Sequence, residues 1–231
     1  MADSSSPALP DRGPLAVLFD MDGVLVNSEP LWFEAESAVM ARLGGSWRHG
    51  DQQVLVGGSM DVTVAHLLSR GTRAVPPAVV ERWLVAAMTQ MLSSGSLPVM
   101  PGARELVAEV AGSGLAYGLV TSSERVIMDA VLAGFGASFP LAVCAEDVSR
   151  CKPDPEGYLL AADKLGVDPR RCIVIEDSPN GVAAAEAAGC LAVVVAGAAP
   201  VPPAPGRVLV SSVIDLSLPR LLDDYAALRE S

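Results

Sequence analysis

The run Leu15-Ala16-Val17-Leu18-Phe19 is apolar at every position and stops at Asp20-Met21-Asp22-Gly23. A strand without polar alternation needs cover on both faces, which is the situation of a parallel sheet between two helical layers. This strand also carries two carboxylates, two residues apart, to its C-terminal end. In open α/β sheets, ligands bind at that end. Neighbouring carboxylates repel one another. A cation is the simplest relief, and hard oxygen ligands favour Mg²⁺. The plainer reading is that Asp-Gly is an ordinary turn dipeptide and that Asp20 only caps the next segment. The rest of the chain decides between them.

Similar apolar runs recur at 116–120, 172–175, 191–195 and 208–210. Helical patterns fall at 103–111, 124–133, 155–165, 179–188 and 219–229. This alternation predicts an α/β fold with a doubly wound, Rossmann-like parallel sheet. Only residues 28 to about 96 break it, with no convincing strand. Helical periodicity there covers 31–43, 61–69 and 77–92, punctuated by Pro30, Gly44-Gly45 and Pro76-Pro77. The expected organisation is a core over 15–27 and 97–231, interrupted by an all-helical cap over 28–96. The linkers are 24–28 and 95–100. An insertion at that point sits over the strand edge as a lid.

Residues 1–14 are Ser/Pro-rich and lack a basic start and an apolar centre. They read as a flexible tail, not a signal peptide. No apolar stretch approaches the ~20 residues of a membrane-spanning helix. The Pro-rich segment 198–206 is expected to be a surface loop.

The net charge of −11 argues against nucleic acid as a partner, because phosphate backbones need clustered Lys and Arg. An anionic small molecule would have to be held locally, by a metal, a lysine or backbone N–H groups. Residues are 51% hydrophobic but only 4% aromatic, so Ala, Val and Leu build the core. The four cysteines, Cys144, Cys151, Cys172 and Cys190, form no C-x-x-C pair and have no histidine cluster beside them. Reduced cysteines in a cytoplasmic protein is the simple expectation. A monomer is the default for oligomeric state.

Three more strand ends are unusually polar. Thr121-Ser122-Ser123 follows the run 116–120, where hydroxyls and a helix N-terminus can meet a phosphate. The plainer role for Ser122 or Ser123 is an N-cap. Lys152-Pro153-Asp154-Pro155 reads as an N-cap and N1 pair, Asp154 and Pro155, which leaves Lys152 unexplained. The chain has only two lysines, Lys152 and Lys164, against 14 arginines, so a compact ammonium in a loop stands out. Glu176-Asp177-Ser178-Pro179 ends the run 172–175. Ser178-Pro179 can start a helix, but again two acids end a buried strand. Two strand ends that each present paired carboxylates form a metal-site pattern.

Taken in order, these segments resemble the four motifs of the haloacid dehalogenase superfamily, in its branch of β-phosphoglucomutase-like phosphatases with a helical cap. Phe19-Asp20-Met21-Asp22-Gly23-Val24 is similar to the first motif and Thr121 to the second. Lys152-Pro153-Asp154-Pro155 is similar to the third and Glu176-Asp177-Ser178 to the fourth. The likeness covers nearly the whole chain from Leu15 on. Asn27-Ser28-Glu29-Pro30-Leu31-Trp32 resembles the same stretch in sugar-phosphate phosphatases of this branch, which usually have Asp at the position of Asn27.

The resemblance implies a Mg²⁺-dependent phosphatase acting on small phosphorylated metabolites, with sugar or polyol phosphates as the class. Asp20 is then the nucleophile and Asp22 the acid and base. Thr121, Ser122 and Lys152 hold the phosphoryl oxygens. Mg²⁺ is held by Asp20, the backbone carbonyl of Asp22 and Asp177, with Glu176 directly on the metal or just behind it. The alternative is a sugar phosphomutase, whose cap histidine twelve residues after the nucleophile is replaced here by Trp32. A dehalogenase lacks an aspartate at the position of Asp22. A phosphonatase needs a cap lysine, and no lysine precedes Lys152. A non-catalytic sugar-phosphate sensor would be expected to have lost Asp20, Lys152 or Asp177. In the cap, Trp32 could stack on a sugar face and Arg48 could meet a second anionic group, although for each the favoured reading is a structural or merely exposed residue. His49 and His66 are expected to serve packing or the surface.

Overall fold

A computed structural model of the chain describes residues 13–95 and 97–229. Among these, six parallel strands form one sheet: β1 (Ala16–Phe19), β2 (Ala116–Val120), β3 (Ala142–Val143), β4 (Cys172–Glu176), β5 (Leu191–Val195) and β6 (Arg207–Val210). Their spatial order is β3-β2-β1-β4-β5-β6. β1 therefore lies in the middle, with Phe19 opposite Leu119 of β2 and opposite Ile175 of β4. The strand order reverses at β1/β4, the switch point where such sheets open a crevice.

Burial explains the lack of alternation in the strand sequences. Every residue of β1, β4 and β5 is buried. Successive residues point to opposite faces. Val17, Phe19, Ile173, Ile175 and Val193 join one apolar cluster, while Ala16, Leu18, Val174, Ala192 and Val194 join another. The first layer includes residues of α5 (Ala103–Gly112), α6 (Arg125–Phe135) and α9 (Leu218–Arg229). The second includes residues of α7 (Glu156–Leu165) and α8 (Pro179–Ala187). A sheet covered on both faces in this way is the doubly wound fold expected.

Between β1 and β2 lie α1 (Glu29–Arg42), α2 (His49–Gln52), α3 (Met60–Arg70) and α4 (Pro77–Ser94). Pro30 and Pro77 sit in the first turns of α1 and α4, where a missing N–H costs nothing. α4 packs on α1, on α3 and on the core helix α6. The chain segments entering and leaving this helical block are paired. Val26 bridges Val99 antiparallel, Asn27 N donates to Pro98 O at 2.7 Å, and Met100 N donates to Leu25 O at 2.9 Å. A further tie runs from Asn180 Nδ2 to Gly57 O at 3.0 Å.

Several details differ from the sequence expectations. β3 has two residues and α2 a single turn, both too short to produce a periodic signal. Residues 1–12 of the expected tail lie outside the described residues, but Gly13 and Pro14 are buried. The Arg171 guanidinium donates to Gly13 O at 2.8 and 3.0 Å. The third strand-end motif is capped one residue later than expected. Pro155 is the N-cap of α7, and Asp154 accepts from Glu156 N at 3.1 Å. Residues 198–206 are irregular and mostly exposed, as expected. No helix among the described residues is long and apolar enough to cross a membrane.

Candidate active site

Asp20 follows β1 directly, and its N–H donates to Ile175 O at 3.0 Å, which continues the ladder to β4. The Asp20 carboxylate is thus set at the sheet edge by backbone pairing. Three residues on, Gly23 has φ +76°, and a Cβ there would run into the Asp177 carboxylate. The glycine of the D-x-D-G motif is therefore required twice, by its backbone angle and by the close approach of a strand-end acid.

Lys152 ties the strand ends together. Its ammonium is buried and donates to Asp20 Oδ1 at 2.5 Å, to Glu176 Oε1 at 2.6 Å and to Val120 O at 2.9 Å. All three donors of the ammonium are used. Burial opposes its charge, but Asp20 and Glu176 outweigh that and hold its pKa above the ordinary lysine value. A buried cation with two carboxylate partners stays charged.

Glu176 is fully enclosed. Oε1 accepts from Lys152 and from Tyr158 Oη at 2.7 Å. Oε2 accepts from Asp177 N at 3.0 Å, Ser178 N at 3.2 Å and Ser178 Oγ at 3.2 Å. Ser178 also caps α8, accepting from Gly181 N at 3.0 Å. Gly181 has no room for a side chain, because a Cβ would overlap the Glu176 carboxylate.

Asp22 is held differently. Ser28 Oγ donates to Oδ1, Ser123 Oγ donates to Oδ2 at 3.0 Å, and Trp32 Nε1 lies 3.4 Å from Oδ1. Ser123 therefore serves Asp22 and is not an N-cap. The N-cap of α6 is Glu124, without a side-chain cap bond. Thr121 is buried and its Oγ1 accepts from Ser123 N at 3.0 Å. Among the described residues neither Ser122 Oγ nor Glu124 Oε2, both buried, has a hydrogen-bond partner. Both residues line the same cavity, where an unpaired hydroxyl is available to a ligand group.

Asp20, Asp22, Thr121, Ser122, Ser123, Lys152 and Asp177 line one cavity of about 80 Å³, with Glu29, Trp32, Glu36, Gln52 and Met60 on its cap side. The volume exceeds several times the roughly 10–15 Å³ that one water centre needs. Asp20 and Asp177 of this lining, with Glu176 behind them, each place a carboxylate oxygen within 4.8 Å of the others. Burial raises Asp20 to about 8 and pushes Asp177 well above the carboxylate range, with Glu176 and neighbouring acids adding to both. Lys152 alone does not balance this charge. The donor set, hard, anionic and closely spaced, fits a divalent cation such as Mg²⁺.

The structure thus brings together Asp20, Asp22, Thr121, Ser122, Lys152, Glu176 and Asp177, the residues expected from sequence. Trp32 also lines the cavity. Arg48 does not. It is exposed, and its N–H donates to Asp51 at 3.0 Å. His49 stacks on Phe33 with ring centroids 4.1 Å apart, and His66 meets Trp47 edge-on at 5.7 Å. Sequence reasoning missed the roles of Ser28, Ser123, Tyr158, Glu36 and Gln52. Ser28 stood inside the quoted 27–32 stretch, and Ser123 beside Ser122. Nothing in the sequence pointed to Tyr158, Glu36 or Gln52.

Carboxylates, one lysine and hydroxyls converge at the switch point of the sheet. The profile of haloacid dehalogenase-like hydrolases matches residues 14–189, and the chain belongs to that family. It is 40% identical over 189 residues to hexitol phosphatase B of Escherichia coli K12, covering 80% of this chain and 84% of that protein. It is 34% identical over 179 residues to validoxylamine A 7'-phosphate phosphatase of Streptomyces hygroscopicus subsp. limoneus, covering 76% and 83%. The crystal structure of CbbY from Rhodobacter sphaeroides in complex with phosphate superposes with TM-score 0.82 at 28% identity, covering 91% of this chain and 99% of that one. These relatives agree with the sugar-phosphate phosphatase branch and with a phosphoric monoester hydrolase of this family.

Proposed function

We propose that the protein is a Mg²⁺-dependent phosphatase of small sugar or polyol phosphates that works through an aspartyl-phosphate on Asp20. The observation that carries this reading is the division of labour around Asp20. Lys152 grips Oδ1, which leaves the other oxygen to attack, while Asp22 stands beside it on independent supports. Asp20 attacks phosphorus as the bond to the leaving oxygen breaks. Asp22 donates a proton to that oxygen, then takes one from the water that hydrolyses the acyl phosphate. Ser28 and Ser123 hold Asp22 for both tasks. Thr121 and Ser122 hold the phosphoryl oxygens, and Lys152, through its grip on Asp20, neutralises charge beside them; positioning and charge neutralisation account for most of phosphoryl-transfer catalysis.

Asp20, Asp177 and the Asp22 main-chain carbonyl would hold Mg²⁺, with Glu176 orienting Lys152 and the Asp177 turn from behind. When bound, the metal neutralises charge so that an anionic nucleophile can approach an anionic phosphate. The helices between β1 and β2 close the cavity from above, and the paired segments at 25–27 and 97–100 are its hinge. Closure excludes water from the reacting centre. The hexitol phosphatase relative supports the polyol class, and the validoxylamine relative supports a polyhydroxylated leaving group. The protein is expected to act as a cytoplasmic monomer.

The test is phosphate release from hexose, pentose and hexitol phosphates with Mg²⁺, with and without EDTA. Release from a few of these esters, lost in EDTA, is expected. Equal release in EDTA contradicts the metal, and release from none contradicts the phosphatase. A mutase would instead isomerise a sugar 1-phosphate once primed with a bisphosphate.

A further inference from the structure

The cap side of the cavity has its own chemistry, which phosphoryl transfer does not use. Glu29, Trp32 and Glu36 are spaced so that they share one face of α1, and all three line the cavity. Glu36 is only 3% exposed. Its Oε2 accepts from Trp47 Nε1 at 3.0 Å, and among the described residues no donor reaches its other oxygen. Gln52 braces the face from α2. Its Nε2 donates to Glu29 O at 2.8 Å and to Glu29 Oε2 at 3.0 Å. Burial raises Glu36 to about 7, so this carboxyl can both donate and accept near neutral pH.

Among the described residues no second cation faces this wall: Lys152 is the only Lys or Arg of them that lines the cavity, and its three donors are already engaged. A second anionic group on a bound ester would lose its water and find carboxyls as neighbours, which is costly. Hydroxyl or ammonium groups would find acceptors.

Building on the phosphatase reading above, we propose that Glu36, with Glu29, Trp32 and Gln52, forms the leaving-group subsite. It takes uncharged polyhydroxyl or ammonium-bearing phosphate esters and turns away esters that carry a second anionic group. Glu36 is the residue that sets this preference.

The test compares three esters of one size: glucitol 6-phosphate, glucosamine 6-phosphate and 6-phosphogluconate. kcat/KM is measured with Mg²⁺ for the wild type, Glu36→Gln and Glu29→Gln. Binding of the same esters is measured in parallel by calorimetry. The carboxylate ester is expected to fall below the other two by about tenfold or more. Glu36→Gln keeps an acceptor for Trp47 but loses the charge, so it should narrow the gap by about threefold or more. Glu29→Gln should narrow it in the same direction. Equal kcat/KM for the three esters, or variants that scale all three alike, overturns the subsite and leaves the phosphatase standing. If no ester is hydrolysed, the phosphatase reading has failed, and the calorimetric order decides the subsite alone. Weakest binding of the carboxylate ester supports it, and equal affinities overturn it.

Discussion

β1 and β4 both end in two acids, and in the sequence the two ends look alike. In the folded molecule they do different work. At the end of β4, Glu176 has both oxygens saturated, by Lys152, Tyr158, two backbone N–H groups and Ser178. At the end of β1, Asp20 lines the cavity, with one oxygen bound to Lys152 and no donor among the described residues reaching the other. Asp22 rests on hydroxyls that can rearrange as a proton moves. A carboxylate whose lone pairs are all occupied by buried donors is scaffold, and one with an open oxygen in a cavity can react. Hydrogen-bond satisfaction, not the presence of paired acids, separates the two.

The sharpest way to break this contrast is to remove each acid's charge while keeping its shape. Asp20→Asn is expected to lower turnover by about four orders of magnitude or more, with the fold retained in circular dichroism. Asp22→Asn should lower kcat by about 10²–10⁴-fold, the range of a general acid and base, and leave apparent metal affinity near the wild type. Glu176→Gln should act mainly on the framework. It removes one charge from a buried ion pair, at a cost of about 3 kcal/mol read as a fall in Tm. It should also weaken apparent Mg²⁺ affinity by about 10–100-fold, as groups behind a metal ligand do. If Glu176→Gln matched Asp20→Asn in turnover with Tm unchanged, the two strand ends would be equivalent and the contrast wrong. The smallest effect belongs to Ser123→Ala. It strips one of the supports of Asp22 and should cost about 1 kcal/mol in kcat/KM, roughly fivefold, with Tm nearly unchanged.

The reading of the chain from sequence worked where one rule dominated. Fully apolar strands and helix-start prolines led to the parallel sheet and the helical cap, and the acids expected at strand ends gather at one edge of the sheet. β3 and α2 escaped because two residues or one turn contain no period. Tyr158 and Glu36 escaped for another reason. Tyr158 reads as an ordinary apolar position of α7, and only the fold sets its hydroxyl 2.7 Å from Glu176. Glu36 sits in a helix where a glutamate suggests solvent, yet it is buried against the cavity. Arg48 is on the surface, which is the plainer of its two readings. Local sequence shows what a strand end offers, and long-range packing decides what each group then faces.

The phosphatase mechanism rests on Asp20 being the group that takes the phosphoryl. The most direct measurement is rapid acid quench of the Mg²⁺-loaded enzyme during turnover of a hexitol phosphate, followed by mass spectrometry of the intact chain and its peptides. The prediction is a single added phosphoryl group on Asp20, absent from Asp20→Asn. A phosphoryl group on Asp22, Glu176 or Asp177, or turnover at full rate with none on the protein, would contradict it.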